Sequence, residues 1–168
     1  FREASGKAIA PLAYLREKRK HSDDALRQFQ IGLADGKLCQ AAADEGFTDA
    51  ELCAAGLMSE KTRKDYWRRG LLLYPHLLEN QVSHFSQKDP SGKCDYQAHH
   101  RHRIPGCHFF NQDSIVGSSK IVVVEGQNDV ISVATKGNYT TVIGTNGVPT
   151  GEQIKYLDGL DSLITVFA

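Results

Sequence analysis

The stretch Lys120-Ile121-Val122-Val123-Val124-Glu125-Gly126-Gln127-Asn128-Asp129-Val130 sets the architecture of this chain. Ile121 to Val124 is an unbroken β-branched run, the pattern of a parallel strand buried on both faces rather than of a half-exposed strand, which would alternate. Gly126 permits a sharp turn after the strand, Asn128 to Lys136 is compatible with a short helix, and Gly137 stands in the usual post-helix position. Tyr139-Thr140-Thr141-Val142-Ile143 reads as a second strand. Thr150-x-x-Gln153 has the spacing of a capping box opening a helix that runs to about Leu160, and Leu163-Ile164-Thr165-Val166-Phe167 reads as a third strand. The expectation is a βαβαβ unit with a parallel sheet and right-handed crossovers.

In open parallel sheets, ligands bind beyond the carboxyl ends of the strands. Glu125 falls at such an end, and Asp129 follows four residues later at the opening of the helix. Two hard carboxylates there suit Mg²⁺ held in a mixed shell of carboxylates, waters and phosphates. The same spacing also suits a helix-capping Asp129 beside a solvated Glu125.

Upstream of Gly117-Ser118-Ser119, which marks a boundary, the pattern differs. Residues 1–66 read as helical: Ile9, Leu12, Ala13 and Leu15 crowd one side of a segment whose other side carries Arg16, Lys18 and Arg19, a charged face expected in solvent. Ser22-Asp23-Asp24 suits a helix N-terminus, and Thr48-x-x-Glu51 has the form of a capping box for a helix ending near Gly56. Over 71–115, Leu71-Leu72-Leu73-Tyr74-Pro75, Val82-Ser83-His84-Phe85 and Phe109-Phe110 are short apolar runs separated by turn residues, which fits short antiparallel strands. The chain is thus expected to have two parts. An α+β unit spans 1–117, helical over 1–66 and with short strands over 71–115, and an α/β unit spans 118–168.

The chain has 168 residues, 40% of them hydrophobic, enough for one substantial or two small cores. No stretch approaches the ~20 consecutive apolar residues of a membrane span, and no export leader is visible. Twenty basic and twenty acidic residues cancel, so any attraction to nucleic acid must come from local patches. The four cysteines, Cys39, Cys53, Cys94 and Cys107, form no close C-x-x-C pair and read as reduced thiols of a cytoplasmic protein. Two local patches stand out. Lys61, Arg63, Lys64, Arg68 and Arg69 form a basic stretch suited either to a nucleic-acid backbone or to a solvated helix end. His99-His100-Arg101-His102-Arg103, flanked by Cys94, Cys107 and His108, is open to three readings: a basic nucleic-acid-facing loop, a zinc site, or a polar loop. Trp67, Tyr66, Phe109 and Phe110 are candidates for base stacking or for core, with core favoured for the two phenylalanines.

The run from Lys120 to Val130, a hydrophobic strand followed by Glu-Gly and then Asp, resembles the first motif of the Toprim domain shared by bacterial-type primases, topoisomerases and some nucleases. Ile143-Gly144-Thr145-Asn146-Gly147 and the helix start after it resemble that domain's next stretch. Upstream, Ala13-Tyr14-Leu15, Leu26 through Ala34, Gly46-Phe47 and Ala55-Gly56-Leu57 look like the helical entry to the catalytic core of bacterial-type DNA primases. Asp65-Tyr66-Trp67-Arg68-Arg69 with Leu71 to His76, then Val82 to Phe85, is similar to the small subdomain that precedes Toprim there. The resemblance covers nearly the whole chain and is loosest over 86–115.

The resemblance implies synthesis of short RNA primers from ribonucleotides on a single-stranded DNA template, by Mg²⁺- or Mn²⁺-dependent nucleotidyl transfer. Glu125 would be the central catalytic carboxylate and a metal ligand, and Asp129 would help build the metal site. Arg68 and Arg69 stand roughly where primases carry basic residues for template or nucleotide phosphate. Lys93, Arg101 and Arg103 would extend the nucleic-acid or nucleotide contacts, although Asp95-Tyr96 replaces the family's Lys-Tyr pair beside Lys93. The family further implies a fused or separate replicative helicase as partner, zinc only in an N-terminal zinc ribbon, and an Asp-x-Asp pair just after the third strand, where this sequence stops at Ala168. The 168-residue piece alone is therefore expected to be inactive or very weak. Two other functions stay open: another Toprim activity, topoisomerase or nuclease, and a non-catalytic Toprim-like module that binds nucleic acid or a partner.

Overall fold

The computed structural model of the chain describes residues 10–90, 103–137 and 139–167. Lys93, Arg101, Cys94 and the cluster His99, His100 and His102 lie outside the described residues.

The parallel sheet is built on β4 (Lys120–Val124), which pairs with β5 (Val142–Gly144) on one side and β6 (Leu163–Val166) on the other. The chain leaves the central strand for one edge through α5 (Gln127–Lys136) and crosses to the other through α6 (Gly151–Asp158). Two right-handed crossovers running in opposite directions put their helices on opposite faces of the sheet. The core divides accordingly. Val122 and Val124 pack with Val130 and Ile131 of α5 and with Leu15, Leu26 and Phe29 from the N-terminal segment. Ile121 and Val123 pack on the other face with Phe109, Ile115 and Ile143, next to Tyr156 and Leu157 of α6. The continuous apolar run of β4 is explained by this arrangement, since both faces of the strand are covered.

Side-chain caps start three of the helices. The Ser22 hydroxyl accepts the Ala25 amide at the head of α2 (Asp23–Gln28), and Thr48 forms a full capping box with Glu51 on α4 (Asp49–Ala54). Thr150 forms another with Gln153 on α6. Each such cap stabilises its helix by about 1 kcal/mol. The remaining helices are α1 (Ala10–Ala13), continued by a five-residue π turn over Tyr14–Lys18, and α3 (Leu38–Asp44).

The second sheet is antiparallel, in the order β1 (Gly32–Leu33), β2 (Leu72–Leu78), β3 (Gln81–Lys88). Glu79 and Asn80 both have positive φ in the two-residue hairpin turn, the geometry that matches the twist of paired strands. The Asp113 carboxylate accepts both turn amides at 2.8 Å. Pro75 sits inside β2 without breaking it, because β1 reaches only Leu72 and Leu73 and leaves that side of the strand open farther along.

The two-part α+β and α/β architecture read from the sequence is present, with corrections in detail. The 1–66 segment is not wholly helical: Gly32-Leu33 is a strand, formed by pairing to β2 rather than by local propensity. Phe109-Phe110 is not a strand. Phe110 makes a single antiparallel bridge to Gly144, a short 3₁₀ turn follows at Gln112–Ile115, and both phenylalanine rings are fully buried, as their expected core role requires. Among the described residues, no helix is long and apolar enough to cross a membrane, and Cys39, Cys53 and Cys107 are free thiols.

Candidate active site

β4 delivers Glu125 to the sheet's carboxyl edge, and α5 begins two residues later, so Asp129 lies in the first helical turn. Both side chains are exposed and line one cleft of about 340 Å³. Among the described residues, neither carboxylate forms an ion pair or a hydrogen bond. The loop after β5 closes the cleft's other side: the Asn146 amide donates to the Glu125 carbonyl at 2.8 Å, and the Gly147 amide reaches the same oxygen at 3.3 Å.

Gly126 is required by close approach. A Cβ there would stand 2.8 Å from Asp129 Oδ2, so any larger residue must displace that carboxylate. With Glu125 and Asp129 as the metal ligands that the sequence leads one to expect, Gly126→Ala should weaken Mn²⁺ binding several-fold while leaving the thermal midpoint nearly unchanged, because the displaced atom ends a solvated side chain. Titration calorimetry beside a melting curve checks both halves, and unchanged Mn²⁺ affinity would remove the argument for this glycine.

Two cations line the same cleft, and neither belonged to the sequence-derived set. Arg19 arrives from the N-terminal segment at the end of the π turn, with its Nε donating to the Tyr14 hydroxyl at 2.8 Å. Burial works against its charge, but the Tyr14 hydrogen bond and the fields of Tyr14 and Asp129 outweigh that and raise its pKa. The expectation that Arg19 belongs to a solvated face is thereby corrected: the π turn swings it inward, a local irregularity of the kind often found at functional sites. Lys88 comes from the end of β3. Its signal in the sequence was only its place at the end of an alternating strand, and Arg19 stood in an undistinguished basic run.

The structure brings Glu125 and Asp129 together and leaves the other described candidates outside the cleft. Arg68 forms an ion pair with the buried carboxylate of Asp89, the residue after Lys88. Arg69 is exposed near Gly36. Arg103 lies 3.0 Å from His108 Nδ1; burial first, and then the Arg103 charge, lower the His108 pKa, so the neutral ring accepts the guanidinium N–H.

Behind the acids is a buried polar layer that the sequence did not announce. Gln127 Nε2 donates to Ser86 Oγ at 2.8 Å and also to Asn146 Oδ1. His76 Nε2 lies 3.0 Å from Ser86 Oγ and 3.3 Å from Asn146 Nδ2. Asn128 Oδ1 receives the Tyr74 hydroxyl at 3.2 Å and lies 3.1 Å from His21 Nε2. Burial, followed by the positive charges of Lys136 and Arg19, depresses the His21 pKa against the opposing Asn128 hydrogen bond. The unfolded chain therefore binds a proton that the folded chain resists. The stabilisation from neutral His21 is complete above the ordinary imidazole value of 6.5 and is lost as pH falls below it. Urea denaturation at a series of pH values should show this loss, and His21→Gln should flatten it. An unchanged slope in that variant would assign the loss to other groups.

The donor set available for a metal is limited. Among the described residues, no group of three or more His, Cys, Asp or Glu side chains could hold an ion. Two exposed, unpaired carboxylates four residues apart still fit Mg²⁺, which keeps several waters and takes one or two carboxylates together with substrate phosphates.

No family model matches the chain, and no curated protein matches it in sequence. Solved structures do match, and they place its fold among the catalytic cores of primases. The likeness is to bacterial primase DnaG. The RNA polymerase domain of the Mycobacterium tuberculosis enzyme superposes with a TM-score of 0.73 at 23% identity, covering 97% of this chain and 60% of that one. A DnaG primase catalytic domain bound to single-stranded DNA gives 0.73 at 20% identity, over 97% and 55% of the two chains. The Escherichia coli primase catalytic core gives 0.70 at 19%, over 95% and 56%. This chain has the DnaG catalytic-core fold and spans 55–60% of the length of these relatives.

Proposed function

We propose that this chain is part of a DNA primase's RNA-polymerase core, which joins ribonucleotides into short primers on single-stranded DNA. The observation that carries the reading is one cleft, at the carboxyl edge of a parallel sheet, holding two unpaired carboxylates and two cations drawn from three separate segments. Supporting it, the fold is that of primase catalytic cores, one of them solved with single-stranded DNA bound.

Glu125 and Asp129 would hold Mg²⁺ or Mn²⁺. When bound, the ion neutralises phosphate charge and favours the nucleophilic form of a primer-strand hydroxyl. Arg19 and Lys88, which line the same cleft, bind the triphosphate oxygens, where positioning and charge neutralisation supply most of the acceleration in phosphoryl transfer. The backbone amides of Asn146 and Gly147 fix the Glu125 carbonyl, and with it the stretch of main chain from which the carboxylate projects. Arg69 and Arg103, which lie outside the cleft, are assigned to the template or nucleotide path, and so are Lys93 and Arg101. Arg68 is assigned to holding Asp89 beside Lys88. A replicative helicase is the expected partner.

Template-directed incorporation of labelled ribonucleotides by the full-length protein tests the reading. Mg²⁺- or Mn²⁺-dependent products on single-stranded DNA support it. Nucleic-acid binding without any metal-dependent incorporation favours the non-catalytic module, which the two-carboxylate donor set also accommodates.

A further inference from the structure

The cleft joins pieces of chain that are remote in sequence, and a buried contact between His21 and Asn128, 107 residues apart, spans the join. Arg19 and His21 belong to one tight turn: the Arg19 amide donates to the Tyr14 carbonyl and the His21 amide to the Leu15 carbonyl, each at 3.0 Å. Helix α5 grips that turn at two points. Near its start, Asn128 Oδ1 faces His21 Nε2 at 3.1 Å, and at its end Lys136 Nζ donates to the Arg19 carbonyl at 3.4 Å. The two grips are eight residues apart on the helix, roughly 12 Å. An amide oxygen can only accept, so His21 must carry a proton on Nε2. Its Nδ1 is buried with no hydrogen-bond partner, which leaves Asn128 as the side-chain hydrogen-bond partner of this ring. Asn128 is itself buried and immediately precedes Asp129.

We propose that Asn128 is a positioning residue: through His21 it holds the turn carrying Arg19 in register with the helix carrying Asp129, so that cation and carboxylate face one cleft. This rests on the metal–nucleotide reading of the cleft for its consequence, but not for its geometry. Tyr74 supplies the comparison, because its hydroxyl donates to the same Asn128 oxygen from β2 rather than from the turn that carries Arg19. The coupling is specific to the side-chain pair, so a donor in place of His21 should preserve it.

The test uses Mn²⁺ with mant-ATP as probe. Asn128→Leu, which keeps the volume and removes the acceptor, and His21→Leu should each weaken binding about five- to tenfold, the scale of one misplaced charge-assisted contact. His21→Gln and Tyr74→Phe should stay within about twofold of the parent on the same scale. In an Arg19→Ala background, Asn128→Leu should add nothing, because the residue it positions is gone. Equal losses in Asn128→Leu and Tyr74→Phe, or a full additional loss in the Arg19→Ala background, overturn the proposal. Glu125→Gln separates the two ideas: if it leaves mant-ATP binding intact, the nucleotide reading fails. The Arg19 Nε–H resonance then decides the positioning claim alone, shifting in Asn128→Leu and His21→Leu but not in Tyr74→Phe if the claim holds. An unmoved resonance in Asn128→Leu overturns it.

Discussion

Glu125→Gln is expected to reduce metal-dependent primer synthesis by the full-length protein by at least ~10³-fold, about 4 kcal/mol of transition-state stabilisation. Glutamine is nearly isosteric, and the parent side chain is exposed with no ion pair or hydrogen bond among the described residues, so nothing structural is lost. The substitution removes one full negative charge from the place where, in the proposed function, a divalent ion would meet triphosphate. Asp129→Asn should cost less, roughly tenfold to a hundredfold, because Asp129 lies on the first turn of α5, where the helix's own amides share the electrostatic load. Incorporation assays over a range of Mg²⁺ and Mn²⁺, paired with melting curves, measure both effects. Undiminished synthesis by Glu125→Gln would sink the assignment of the metal site, and a lowered melting temperature would show that the carboxylate has a structural role instead.

The parts of this molecule that were legible in the sequence are those whose causes are local. Ile121 to Val124 announced a doubly covered strand because each residue needs burial whichever face it takes, and the two core clusters divide the run in alternation. Thr48, Thr150 and Ser22 announced helix starts because a cap acts over three residues. Glu125 and Asp129 were visible because one directly follows that strand and the other lies in the first turn of the helix after it. What stayed hidden depends on partners remote in the chain. β1 exists because Leu72 and Leu73 are there to pair with Gly32 and Leu33. Arg19 reads as surface until the π turn and the Tyr14 hydroxyl redirect it, and Lys88 acquires meaning only when β3 is laid beside α5. The polar layer of His76, Ser86, Gln127 and Asn146 joins four segments, and no spacing rule links them. Arg103 has a partner that no spacing rule announced, the ring of His108.

That division explains why the site sits at the seam between the two sheets. The parallel sheet offers carboxylates and an amide-lined loop, but among the described residues the cations of the cleft come from elsewhere: Arg19 from the N-terminal segment and Lys88 from the antiparallel sheet. Positive and negative halves of the cleft thus come from segments joined through one shared core, so that core matters for the cleft as much as for stability.

Phe110→Ala is the substitution that tests this shared core, and it is expected to destabilise the chain by about 3–5 kcal/mol, the usual cost of emptying a buried aromatic site. Phe110 is 1% exposed and touches every layer. Its ring stacks on Phe29, the C-cap of α2, at 5.9 Å and meets the edges of Tyr74 and His76 on β2 at 6.2 and 5.4 Å. Its backbone bridges Gly144 at the end of β5, where Cβ of Phe110 would lie 3.6 Å from any side chain added to that glycine. Removing the ring opens a void between N-terminal helices, antiparallel sheet and parallel sheet at once, and few neighbours can collapse into it without breaking the Tyr74–Asn128 and His76–Ser86 contacts. Urea denaturation should show the lower midpoint, and mant-ATP binding by the folded fraction should weaken as well, because β5 leads directly into Asn146 and Gly147. A loss below about 1 kcal/mol, within the range of ordinary surface substitutions and tolerant swaps, would mean that the two units are held together elsewhere and that the cleft does not depend on this ring.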